Sequence, residues 1–460
     1  MLKSRGTLVI FLAYYIKLLS NVIQQRKIFM TTLYRLSLKE AIFVNINVMI
    51  GAGIFVNTIP LSERIGIFSP LSYIIVGILL LPLIFSTMKL TEYYPEGGFY
   101  TYASSTLSTR LGFAAAWSYF IGKMASATLV LSFSTMLLQE IIPLLKSINR
   151  PIVYSAVLCM ILLINSMGMR LGSFLQKILV YAKFLPIAIV ILVGLFYLAN
   201  INFSGITPHF QELIGTIPMV LYAASGFETA CILSLTIQDP ARNAPRAILF
   251  SYVAVLFTAA LYQLFAYILF AQSDTKITEY AQLFTMVAQS AHIPALTTFI
   301  QLLLFCGLAY SAFGSAFGMF YSNIWNFFTL AKHEHIPGHM YFTKLNRFGI
   351  PFLCIVAEAV ISLFFLSISS GNIILLQQCS TLALSFTFTT SVFALYKRYR
   401  LDKRSTVLPV LGIANCLILV FSSFYSLIKT NAYSFILFAC LFLFGIAMLL
   451  LSERTPVKKS

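Results

Sequence analysis

Two short stretches of this chain combine residue types that could bind a small charged molecule. One reads Asn45-Ile46-Asn47-Val48-Met49-Ile50-Gly51-Ala52-Gly53-Ile54-Phe55, the other Leu221-Tyr222-Ala223-Ala224-Ser225-Gly226-Phe227-Glu228-Thr229-Ala230. Each sets glycine and other small residues in the middle of a long apolar run, where glycine weakens a helix and leaves its backbone bare. Taken alone, the first stretch is equally well read as close helix packing by small residues. The second adds a carboxylate, Glu228, and an ionisable group inside a membrane helix marks a functional site by default. Unwinding at Gly51-Ala52-Gly53 would leave free N–H groups at the positive end of the following half-helix, which suits a carboxylate. Unwinding near Ser225-Gly226 would free carbonyls for an ammonium group. One amino acid carries both charges and would satisfy both breaks.

The elements that hold these stretches must be membrane helices. The 460 residues are 59% hydrophobic and only 10% charged, too few charges to cover a soluble fold of this size. Apolar runs of bilayer-spanning length recur, and in lipid such runs satisfy their own hydrogen bonds as helices. The alternating segments of a transmembrane barrel are absent. Twelve spans are expected, near 40–62, 67–89, 111–141, 151–168, 174–199, 213–235, 246–271, 296–330, 351–369, 372–396, 406–428 and 432–452, the third and eighth longer than a bilayer requires. With the stretch before the first span in the cytoplasm, 21 lysines and arginines fall on inner segments, against five (Arg64, Lys146, Arg150, Lys276 and Lys429) on outer ones. That bias places both termini inside, in a cell inner (plasma) membrane. It also accounts for the net charge of +17, because no basic stripe with interleaved aromatics suggests nucleic acid. Residues 1–29 form a leader, read either as an upstream mis-start before Met30 or as an interfacial helix. Residues 30–200 and 201–400 are then two five-helix halves, followed by two C-terminal helices and a basic tail over 401–460. The first and sixth spans occupy matching places in the two halves, and interrupted helices at such places are the sequence pointer to a transporter site.

Other chemistry is poorly supported. The seven cysteines (Cys159, Cys231, Cys306, Cys354, Cys379, Cys416 and Cys440) lie in apolar runs without a CxxC pair and read as small packing residues. The histidines lack metal-ligand spacing, and His333 and His335 read as solvated loop residues. No nucleophile–base pair, metal cluster or phosphate loop appears, so neither an enzyme nor a bound cofactor or metal is expected.

At this point the chain resembles the amino acid–polyamine–organocation (APC) superfamily of permeases. Gly51-Ala52-Gly53-Ile54-Phe55 matches that family's GxGIF pattern, and Gly226-Phe227-Glu228 its G-F-E. Pro95-Glu96-Gly97-Gly98-Phe99-Tyr100-Thr101-Tyr102 is similar to its loop after the second span, and Lys183-Phe184-Leu185-Pro186 to its K-x-x-P. Asp239-Pro240-Ala241-Arg242-Asn243-Ala244-Pro245-Arg246 resembles the loop after the sixth span, and Ile336-Pro337 with Arg347-Phe348-Gly349-Ile350-Pro351 the one after the eighth. The matches keep the family's order from the first span to the ninth.

The resemblance implies an all-α membrane protein with a leucine-transporter-like 5+5 inverted repeat plus two C-terminal helices. It implies alternating-access transport of amino acids, by proton coupling or exchange, with the proton as a partner. Backbone amides of Ala52 and Gly53 would hold the substrate carboxylate, carbonyls of Met49, Tyr222 and Ser225 the amine, and Tyr222 would gate the substrate. Glu228 would link the broken helices or take part in coupling. Lys183 lies where some relatives put a lysine in place of a sodium ion; a buried lysine can exchange a proton, although Lys183 could also snorkel to the inner interface. Lys123 matches no motif and is expected either to face an aqueous vestibule or to pair with Glu358. Asn323-Ile324-Trp325-Asn326 departs from relatives that carry an arginine there. A cationic amino acid or polyamine antiporter is the nearest alternative, and a non-transporting amino acid sensor on the same fold the alternative of another class. Oligomeric state is not legible in the sequence.

Overall fold

Ser37 starts the first helix with a capping box. Its hydroxyl accepts from the Glu40 amide, and the Glu40 carboxylate accepts from the Ser37 amide at 2.9 Å. The computed structural model describes residues 34–95, 97–198, 210–272, 280–289, 294–429 and 433–454. The leader, Glu96 and the junction between the expected halves lie outside those residues.

Helix α1 (Leu38–Met49) is followed after a short break by α2 (Ala52–Ile65), then α3 (Ser69–Tyr93) and a short α4 (Phe99–Ser104). Next come α5 (Thr109–Ile141), α6 (Arg150–Ser166) and α7 (Met169–Tyr197). A second interrupted segment comprises α8 (Phe210–Ala224) and the single turn α9 (Thr229–Ile232). Beyond it lie α10 (Pro240–Ala271), α11 (Tyr280–Gln289), α12 (Pro294–Lys332), α13 (Phe352–Ser369), α14 (Ile373–Leu401), α15 (Val407–Lys429) and α16 (Tyr433–Arg454). Among the described residues nine helical stretches are long and apolar enough to cross a membrane. One of the nine, Gly53–Tyr93, runs α2 on into α3; the second interrupted segment is broken too short to count, and α6 has 17 residues.

Helix α5 is the scaffold. Its 33 residues are buried on nearly every side, against α12, α14, α13 and α16. Small residues allow the close approach: a Cβ on Gly122 would sit 3.0 Å from that of Ala383 in α14. The Trp117 indole donates to the Leu441 carbonyl of α16 at 3.0 Å. Elsewhere α3 packs on α10, α7 on α12, and α1 lies between α7, α10 and α12. Just before α1, Leu36 pairs in parallel with the strand-like end of the second interrupted segment. Its amide donates to the Thr236 carbonyl (2.7 Å) and its carbonyl accepts from the Gln238 amide (2.9 Å).

The loop histidines depart from expectation. His333 is exposed, its ring 4.2 Å from that of Tyr100, but His335 is buried, its Nε2 2.8 Å from the Tyr100 hydroxyl. Together they fasten α4 to the C-terminal end of α12. The spacing alone could not reveal this, because the partner lies 235 positions away. Burial, with the neighbouring His333, pulls the His335 imidazole down to about 4 from an ordinary 6.5. The unfolded chain therefore binds a proton that the folded chain refuses between those values. The contribution of His335 to stability is complete above about 6.5 and is lost as the pH falls toward about 4. Thermal unfolding of the detergent-solubilised protein across that window should show a fall in Tm on acidification. The fall should be smaller in His335→Gln; an identical acid dependence in the two proteins would contradict this account.

Candidate functional site

The first break follows from what surrounds residues 47–51. The helix ends at Ile50 (φ −77°, ψ 86°), Gly51 is extended (φ −138°, ψ −154°), and α2 restarts at Ala52. Carbonyls released from the helix find donors on other helices. Ser315 Oγ of α12 donates to Val48 O (2.7 Å), and Lys183 Nζ of α7 to Asn47 O and Ile50 O (2.5 Å each). Lys183 is wholly buried and does not snorkel to the interface. On the other side of the break, α2 has no side-chain cap at Gly51, so the first-turn N–H groups of Ala52, Gly53 and Ile54 have no partner within their helix.

The second break centres on Gly226, whose φ of +125° suits a residue without a Cβ. Its amide donates to Glu228 Oε2 at 2.7 Å, and the Phe227 carbonyl accepts from Asn45 Nδ2 of α1 at 2.8 Å. The two breaks face each other. A Cβ on Gly53 would lie 2.9 Å from the Ala223 Cα, and one on Gly226 2.8 Å from the Met49 Cγ. The glycines thus serve close packing and backbone release together. The carbonyls of Met49 and Tyr222, expected to be bare, take donors from their own segments: the Gly51 amide (3.0 Å) for Met49, and both the Ser225 hydroxyl (2.8 Å) and the Ser225 amide (3.3 Å) for Tyr222. A carbonyl has two lone pairs, so that of Met49 keeps one acceptor site, whereas that of Tyr222 has both taken.

Charge gathers at the second break. Lys123 Nζ of α5 meets Glu228 Oε1 at 2.5 Å, and both side chains are wholly buried. Lys123 therefore neither faces water nor pairs with Glu358. The Glu358 carboxyl is buried on α13, and neither of its oxygens has a hydrogen-bond partner among the described residues. One turn beyond Lys123, Ser126 Oγ donates to the Tyr222 hydroxyl at 3.3 Å. Removing one member of such a buried pair typically costs about 3–5 kcal/mol, because the other is left uncompensated.

Three residues to which sequence reasoning gave no role complete the arrangement: Asn45, Ser311 and Ser315. Ser311 and Ser315 are four apart on one face of α12, toward the first break. That spacing was the available signal, although serine is common in packed membrane helices. Asn323 and Asn326, in the segment that departs from the family pattern, donate to the Phe120 and Ala116 carbonyls and join α12 to α5.

A cavity of about 270 Å³ is bordered by Asn57, Arg64, Met219, Gln377, Gln378 and Thr381, from α2, α8 and α14. A larger groove of about 790 Å³ between α3 and α10 is lined almost wholly by apolar side chains and touches neither break. It suits lipid chains better than a polar ligand.

Comparison with known proteins agrees with this geometry. The profile of the amino acid permease family matches residues 36–456. The large neutral amino acids transporter small subunit 2 of Mus musculus is 24% identical over 316 residues, 65% of this chain and 58% of its own. The lysine-specific permease LysP of Escherichia coli is 25% identical over 344 residues, 70% of this chain and 69% of its own. The structure of a manganese transporter from Eremococcus coleocola superposes with a TM-score of 0.56 at 14% identity, covering 90% of this chain and 93% of that one. It shares the fold.

Gly226→Ala should be poorly tolerated. The new Cβ meets the backbone and side chain of Met49 at a positive φ, where strain of about 1–3 kcal/mol is usual. Unfolding of the purified protein should register that loss as a lower Tm; an unchanged Tm would mean the second break is not held as described.

Proposed function

This chain belongs to the amino acid permease family, and from that premise we propose that it moves amino acids across the plasma membrane by alternating access. It is a multi-pass membrane transporter and not an enzyme. In this reading the helices form a 5+5 inverted repeat, with α1–α2 and α8–α9 as the interrupted first helices of the two halves. Helices α15 and α16 are the two that follow the repeat, and both termini are cytoplasmic. The observation that carries the reading is the approach of the two breaks, Gly53 against Ala223 and Gly226 against Met49. Amide groups with no partner in their helix lie on one side of that meeting and turn carbonyls on the other.

The substrate carboxylate binds at the Ala52 and Gly53 amides, where the start of α2 supplies partial positive charge. The amine binds the Met49 and Ser225 carbonyls and displaces the Ser225 hydroxyl from that of Tyr222. Tyr222 covers the substrate, and its tether to Ser126 links that cover to the scaffold helix. Coupling is to a proton or to exchange of a second amine. Lys183, held on two carbonyls of the first break, supports the proton version: releasing a proton would loosen its grip on Asn47 and Ile50. The lysine-specific name of one relative favours a cationic amino acid or polyamine antiporter as the second reading.

Uptake of labelled amino acids into proteoliposomes, with and without a proton gradient and sodium, tests the proposal. Gly53→Leu should abolish uptake, since its side chain meets Ala223 and Tyr222 where the two breaks close on each other; near-normal transport would remove the carboxylate site. Lys183→Ala should flatten the pH profile of transport, and an unaltered profile would reassign Lys183 to structure.

A further inference from the structure

Lys123 belongs to none of the motifs that brought the two breaks to notice, yet it makes the shortest charged contact at the site. Glu228 is the carboxylate that reaches the second break, and both its oxygens are engaged: Oε2 by the Gly226 amide, Oε1 by Lys123. Lys183 adds a further amine at the first break. The immediate surroundings of the two breaks therefore hold two lysines and one carboxylate. An α-amine can be bound there by carbonyl dipoles. A second cation on a substrate side chain would need a full countercharge to leave water, since an uncompensated buried charge is expensive.

We propose that Lys123 sets the charge class of the substrate: by occupying Glu228 it denies that carboxylate to the cargo, so the site takes amino acids with uncharged side chains and rejects those carrying an extra ammonium or guanidinium. This rests on the transport reading above and sharpens it. Lys123 is well placed for the task. It lies on α5, the buried scaffold helix, between Tyr119, whose ring centroid is 5.7 Å from Nζ, and Ser126, which reaches Tyr222. Its ammonium is thus fixed from the scaffold side while the interrupted segment supplies the partner. Lys123 acts on specificity through Glu228 and is a positioning residue. Lys123→Met keeps an unbranched apolar stem of comparable length and removes the charge, leaving Glu228 open to a cation from the substrate.

The experiment compares proteoliposomes of the full-length wild type, Lys123→Met, and Lys123→Met combined with Glu228→Gln. Each is assayed at mildly alkaline pH with labelled leucine, labelled lysine and labelled putrescine. Wild type should carry leucine and discriminate against the two cations by at least about tenfold, the ratio by which a mismatched buried charge is readily rejected. Lys123→Met should shift the lysine-to-leucine ratio toward lysine by about tenfold or more, and the double substitution should erase that shift. A merely structural lysine would not produce a gain that vanishes with its partner. Three results would overturn the inference: wild type carrying lysine or putrescine as fast as leucine, Lys123→Met losing all uptake in equal proportion, or the gain persisting in the double variant. The wild-type comparison decides even if a variant does not fold. Wild type that carries no amino acid at all would overturn the transport reading itself, and this inference with it; the other adverse results leave that reading standing.

Discussion

Peptide groups released from a helix inside lipid must find partners within the protein, and that requirement organises this molecule. Water is not available at mid-bilayer, so each interruption of a hydrogen-bond ladder calls for donors and acceptors from neighbouring helices. Here they come from three directions. Helix α12 supplies Ser311 and Ser315, α7 supplies Lys183, and α1 supplies Asn45 to the opposite break. Irregular backbone survives in the membrane because rigid helices on every side hold polar groups against it.

The same requirement explains the use of glycine. At Gly53 and Gly226 the two interrupted segments approach so closely that a Cβ would collide with a neighbouring backbone or side chain. Close approach and bare backbone are usually offered as rival explanations for small residues in membrane helices. In this protein one depends on the other, since the released groups of one segment could not lie beside those of the other if side chains stood between them.

Much of this was legible in the sequence, unevenly. Span positions and the two interruptions could be read because the length of an apolar run and a mid-membrane glycine are local signals. Glu228 stood out because a carboxylate there demands a partner. The identity of that partner did not follow. Lys123 is separated from Glu228 by more than a hundred residues, and no spacing rule predicts which face of α5 it occupies; the expected partner, Glu358, lies instead on a helix packed elsewhere against α5. His335 was misjudged for a related reason, because a polar loop residue gives no hint of a distant tyrosine waiting for it. The capping serines of α12 were hidden among ordinary small residues.

The short parallel pairing of Leu36 with the segment around Ile237 ties one end of the first interrupted segment to the end of the second. Whatever swings one of them away from the bundle must drag the other along or first tear two backbone hydrogen bonds. The two interrupted segments are therefore latched to each other at this end, and displacing either one begins as a joint movement or as the undoing of that latch.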